Sequence, residues 1–187
     1  MARGLYVVDQ LPPIDLANRP TQSAFGTTFF DIYGAPQKII PKSRLDAGLT
    51  LDLEAWGHYQ CNTGVTLALG FWFNGAALAA PTTTLALSSV ITTGTTPTLW
   101  PWHMHWMGTL TAIGTGASGG TWDGMGTLDF GTSLTAMTSS PIPITDALRT
   151  VTCDVTADRA VGVGATYGTS AAANQVTVKK FYVKLMS

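Results

Sequence analysis

Leu49-Thr50-Leu51-Asp52-Leu53-Glu54 and Val65-Thr66-Leu67-Ala68-Leu69-Gly70-Phe71-Trp72-Phe73 decide how this chain folds. In both stretches apolar side chains recur at every second residue. A strand turns alternate residues to opposite faces, so this spacing lays one apolar face on a core. A helix would need a period near 3.6, and no such period stands out along the chain.

Working outward, the alternation persists to the end of the sequence. Leu85, Leu87 and Ile91 follow the Asn74-Gly75 turn. Trp100, Trp102, Met104, Trp106 and Leu110 share one face of a long strand, and Trp122, Leu128 and Phe130 mark another. Val151, Cys153 and Val155 come next, then Val161, Val163, Ala165 and Tyr167. Val176 and Val178, then Phe181, Val183 and Leu185, close the chain. The parity slips at Lys179-Lys180, which predicts a β-bulge. Gly131 to Leu148, with Pro141 and Pro143, reads as a long loop. About eight strands separated by Gly, Ser, Thr and Pro turns predict an all-β fold. The simplest arrangement is an antiparallel β-sandwich, jelly-roll-like, over residues 45–187.

Residues 1–44 read differently. Pro12, Pro13, Pro20, Pro36 and Pro41 remove backbone donors and favour extended chain. Leu5, Tyr6, Val7, Phe25, Phe29 and Phe30 are too apolar for a free tail. They are expected to form an interface, with the segment lying as an extended N-terminal arm on some surface. Trp56 and Trp72 fall on the opposite parity to their strands' apolar sets and join the candidate interface residues.

The composition narrows the function. Charged residues are 11% of the 187, against roughly 25% in an average domain. Charge keeps monomers apart, and interface cores are depleted in Lys, Glu and Asp, so the chain is expected to pack against copies of itself or other subunits. The net charge is −1 and there is no basic stripe, which argues against a nucleic-acid partner. No apolar run approaches the ~20 residues of a membrane helix. The N-terminus lacks the basic and apolar regions of a signal peptide, so synthesis is expected in the cytoplasm. Cys61 and Cys153 are too few for a disulfide framework and read as buried free thiols.

Chemistry-bearing motifs are sparse. His103 and His105 point the same way on a strand, about 7 Å apart, and with His58 form the best candidate metal set. No acid lies beside them in sequence, so solvent or a subunit contact is the expected surrounding. Trp100, Trp102 and Trp106 alternate with polar residues and are expected in the core rather than on a sugar platform. Asp123, Asp129, Asp154 and Asp158 flank strands and turns, where Asp serves the backbone. Gly114 to Gly120 lacks a phosphate-loop lysine and reads as a hairpin tip. No catalytic, cofactor or metal residue is assigned, and no enzyme activity is expected.

The run Glu54-Ala55-Trp56-Gly57-His58-Tyr59, the Val65 to Phe71 strand with Asn74-Gly75, Ile91-Thr92-Thr93-Gly94-Thr95-Thr96, Trp100-Pro101-Trp102 and Arg159-Ala160-Val161-Gly162-Val163-Gly164 carry a resemblance. Together they resemble small β-sandwich virion proteins of tailed bacteriophages, especially phages of actinobacteria. The resemblance spans about Leu45 to Leu185. It implies a jelly-roll-like structural subunit, often a homotrimer, made in the bacterial cytoplasm and carried in the virion. The expected role is a capsid decoration or minor capsid protein attached through the arm, with the major capsid or tail protein as partner. The alternatives are a tail, baseplate or fibre subunit, or a module binding host glycan through exposed aromatics.

Overall fold

A computed structural model describes residues 5–8, 29–32, 38–74, 83–94, 97–116, 119–133, 135–171 and 173–186; for Leu5–Val8 and Phe30 it describes the backbone alone. The strands in chain order are β1 (Leu5–Val8), β2 (Phe30–Asp31), β3 (Lys38–Ile40), β4 (Thr50–Gln60), β5 (Thr66–Phe73), β6 (Thr83–Leu87), β7 (Ile91–Thr92), β8 (Trp100–Ala112), β9 (Gly120–Gly131), β10 (Met137–Ile142), β11 (Thr150–Cys153), β12 (Arg159–Tyr167) and β13 (Gln175–Met186). The helical content among the described residues is two short 3-10 turns, Lys42–Arg44 and Asp146–Leu148. The all-β antiparallel sandwich expected from the alternation is the fold.

The larger sheet runs β1-β13-β4-β8-β9-β10, with β11 also on β9. The smaller runs β2-β12-β5-β6, with β3 also on β12 and β7 also on β5. A jelly roll is an antiparallel ribbon wound on itself: the first strand pairs the last, the second pairs the last but one, and so inward. Here β1 pairs β13, β2 and β3 pair β12, β4 pairs β8, and β5 pairs β6. Winding the ribbon then sets β13 beside β4 and β12 beside β5. Strands β9, β10 and β11 extend the larger sheet beyond this frame.

The described parts of residues 1–44 lie on the sandwich: β1 is an edge strand of the larger sheet, and β2 and β3 share the edge of the smaller. The prolines lie outside these three short strands, so the segments between them can still donate to the ladders. Only by counting these strands is the jelly-roll order complete. The Gly131 to Leu148 stretch likewise holds β10 and a 3-10 turn. Pro141 is tolerated because β10 pairs β9 and, among the described residues, no strand lies on its other side. The slip at Lys179-Lys180 is a bulge, with the β13–β4 register shifting between Val178 and Lys180.

The core lies between the sheets. Trp102, Trp106 and Trp122 from the larger sheet are buried with Phe71, Phe73 and Tyr167 from the smaller, so the expectation for Trp100, Trp102 and Trp106 holds. Phe73 meets Trp122 edge-on at 5.8 Å, and Phe71 stacks on Phe181 at 6.0 Å, each pair joining the two sheets. Such ring pairs add about 0.5–1.5 kcal/mol each beyond the apolar area they bury. The Tyr167 hydroxyl sits 3.0 Å from the Gln60 carbonyl and 2.9 Å from that of Gln175, tying β12 to the larger sheet. Cys61 and Cys153 are buried free thiols.

Candidate functional site

The two outer faces of the sandwich differ, and the difference locates the site. On the smaller sheet the outer face is covered within the chain. Trp72 points outward from β5 yet is only 1% exposed. Its indole lies over Gly162 of β12, where a Cβ would come within 2.4 Å of the ring. The indole N–H donates to Asp31 Oδ1 at 3.1 Å and is shared with the Val163 carbonyl at 3.2 Å. Phe29 lies over Gly164 in the same manner. Trp72 was expected at an interface; it has one, but with the chain's own strand β2, and its ring is not open to a partner. The side chains of Leu5, Tyr6, Val7, Phe25 and Phe30 lie outside the described residues.

The outer face of the larger sheet is partly exposed, and among the described residues no strand lies across it. Alternation sends Leu51, Leu53, Ala55 and Tyr59 inward from β4, which sends Asp52, Glu54, Trp56 and His58 outward. On β8 the inward tryptophans leave His103, His105 and Met107 outside. The register then lines these residues up in rungs across the strands. One rung reads Lys180, Trp56, His103, Asp129 and Ser139; the next Tyr182, Glu54, His105 and Thr127; the third Lys184, Asp52, Met107 and Met125.

Polar contacts knit the rungs together. His103 Nε2 is 3.0 Å from Glu54 Oε1, and its Nδ1 is 3.8 Å from Asp129 Oδ2. The Ser139 hydroxyl donates to the other Asp129 oxygen. His105 Nε2 lies 2.8 Å from Asp52 Oδ1, and Lys184 Nζ donates to Asp52 Oδ2 at 3.2 Å. Trp56 and Tyr182 sit 5.4 Å apart, with the Lys180 ammonium 4.6 Å from the Tyr182 ring centre and 5.5 Å from that of Trp56. His58 continues the same face, and burial, then the charge of Lys179, lowers its pKa. Met107 and Met125 stand opposite one another, 42% and 57% exposed.

The expected solvent-facing placement of His103 and His105 is what the structure has. The acids that sequence reading failed to find beside them come from neighbouring strands. Asp52 and Glu54 share the two-residue spacing of the histidines, a hint legible only once β4 and β8 are paired. Among the described residues no group of three or more His, Cys, Asp or Glu side chains is placed to hold a metal ion. His58 lies across from Pro101, one rung beyond His103, and does not join the pair.

The remaining acids serve turns. Asp154 accepts from the Thr156 N–H at 2.8 Å and its hydroxyl at 2.6 Å, and pairs with Arg159 at 2.6 Å. Those hydrogen bonds, with Thr156 first, hold its carboxyl down to about 2. Asp158 accepts from the Lys42 N–H at 2.8 Å. Asp123 is exposed on β9. Gly114 and Gly119 face each other in the β8–β9 connection, as a hairpin tip requires. Comparison with known protein families, with curated proteins and with solved structures returns no match.

Proposed function

We propose that the chain is a non-enzymatic structural subunit of a tailed-phage virion, a capsid decoration or minor capsid protein that self-associates and attaches through its N-terminal segment. The observation that supports this reading most is compositional. With 11% charged residues, the chain places several of its charges on one partly exposed sheet face and lacks the charge cover of a free monomer. The jelly-roll winding is compatible, since viral capsid domains use it, but that fold hosts many functions and assigns none alone. The resemblance of the Leu45 to Leu185 strands to phage virion proteins supplies the rest. The partner on this reading is the major capsid protein, with a tail or baseplate protein as the alternative.

The test is protein mass spectrometry and immunogold labelling of purified particles from cells carrying the gene and its phage neighbours. Stoichiometric presence on capsids is expected. Absence from particles, with the protein left soluble in the lysate, refutes the reading. A second reading, host-glycan recognition, draws on the Trp56–Tyr182 pair beside Glu54 and His103. Saturable binding on a glycan array that is lost in Trp56→Ala would favour it.

A further inference from the structure

We infer that the outer face of the larger sheet docks on the same face of a second copy, about a two-fold axis that runs parallel to the strands between β4 and β8. The inference rests on the self-association reading above and adds to it a surface, a symmetry and a residue pairing.

Availability comes first. The outer face of the smaller sheet is closed off by Trp72, Phe29 and Asp31 of the chain itself. The larger sheet presents Trp56, Tyr182, Met107 and Met125 on its outer surface, beside ionic groups that are only partly exposed. Apolar side chains set in a lattice of polar ones match the make-up of a non-obligate interface.

The occupant is argued from charge. The lysines of the face sit at one side, Lys180 and Lys184 on β13, while Arg149 reaches the far side with its guanidinium 3.1 Å from Met125 Sδ. Carboxylates lie on β4 and at the far side, with Asp52 and Glu54 on β4 and Asp123 and Asp129 on β9. The histidines lie between, on β8. An axis along the strands keeps each rung at its own height and reverses its order. Lys180 of one copy then faces Asp129 of the other, Glu54 faces His105, and Trp56 faces His103. Because such an interface is isologous, each pairing occurs twice. An in-plane axis perpendicular to the strands would instead lay β13 on β13 and β4 on β4, setting lysine against lysine and acid against acid. The charge pattern therefore selects the first arrangement. Stacked sheets that keep their strands within about 30° of each other are an ordinary packing mode.

The size fits. Strands β13, β4, β8 and β9 are 12, 11, 13 and 12 residues long. At about 3.3 Å per residue and 4.8 Å between strands they present a face of about 19 by 40 Å. Two such faces cover roughly 1,500 Å², within the roughly 1,200–2,000 Å² of a specific, stable interface.

The experiment uses the full chain and three charge variants. Sedimentation equilibrium across the micromolar range is expected to give a dimer for the parent. Lys180→Glu and Asp129→Lys are each expected to weaken dimerisation at least tenfold, and the double variant, which exchanges the two charges, to restore it. Lys42→Glu, off this face, is expected to leave it unchanged. Thermal melting of each variant checks that the fold is intact. Carbodiimide treatment of a mixture of ¹⁴N- and ¹⁵N-labelled protein is expected to join Lys180 to Asp129 between copies. Within one chain the two lie three strand spacings apart, about 14 Å, too far for a zero-length link. A monomer throughout, a trimer indifferent to Lys180→Glu, or charge variants whose effects do not cancel overturns the inference. Particle incorporation measured in parallel separates the two claims: a protein found on virions without this dimer retires the docking surface and keeps the virion role.

Discussion

Trp72 and Gly162 form a contact whose energetics can be worked through. The ring atoms nearest the position of a Gly162 Cβ are Cζ2, Cε2 and Nε1, at 2.4, 2.6 and 2.9 Å. The nearest of them, Cζ2, has no counterpart in the shorter phenylalanine ring. Gly162→Ala alone forces the buried indole aside, and overpacking of this kind costs about 1–3 kcal/mol. Trp72→Phe alone loses the hydrogen bond to buried Asp31 Oδ1, and a lost hydrogen bond costs about 0.5–1.5 kcal/mol. In the double variant the alanine methyl enters space the shortened ring has vacated. Its added cost should then fall to near zero, giving a coupling of about 1–2 kcal/mol. Urea denaturation of the four proteins, compared at equal m-value, measures this. Costs that add to within about 0.5 kcal/mol would show that the indole does not fill the groove above Gly162, and the account of how β2 is held would fall.

Four further outcomes are expected. Leu99 is 63% exposed at φ 53, a conformation costing roughly 1–2 kcal/mol for a residue with a Cβ, so Leu99→Gly should raise stability by up to ~1 kcal/mol in a urea melt. Burial raises the Cys153 thiol to about 11 and the Tyr59 phenol to about 12, both above their unfolded values of 9.0 and 10.0. The stability these neutral groups contribute is complete below about pH 9 and lost as pH rises through 11 and 12, so the melting temperature should fall steeply across that window. Asp154 has the opposite sign: its carboxyl is depressed, so its contribution is present above 3.8 and lost as pH falls towards 2, and Asp154→Asn should flatten that acid limb. Deleting residues 1–44 removes β1, β2 and β3 and exposes Trp72, so the truncated chain should lose its cooperative melt rather than persist as a folded sandwich.

The fold was largely legible because alternation is a local signal. Leu51, Leu53 and Tyr59 declare the inner face of β4 without reference to any other strand. The N-terminal strands were not legible: Phe30-Asp31 and Lys38-Ile39-Ile40 are too short to show a period, and their place depends on the open edge of β12, more than a hundred residues away. The same limit hid the polar rungs. That His103 meets Glu54 and Asp129 follows from two registers, β4 to β8 and β8 to β9, which turn geometry and side-chain packing set together. Trp72 shows the converse, since its parity correctly pointed outward while the glycines at 162 and 164, which let a partner strand's side chains lie flat there, carry no periodic signal.

The pairing of the first strand with the last has a consequence for synthesis. Leu5 pairs with Met186, and Val8 with Val183. At roughly 5–20 residues per second a ribosome makes the N-terminal strand about 10–40 s before its partner exists. Closing loops of this length makes the final pairing slow relative to local hairpins such as β8–β9. Throughout that interval Leu-Tyr-Val-Val is a short apolar sequence still without β13, the strand it pairs with among the described residues. The growing chain therefore waits, with β1 open to chaperones and to neighbouring chains, until β13 has emerged.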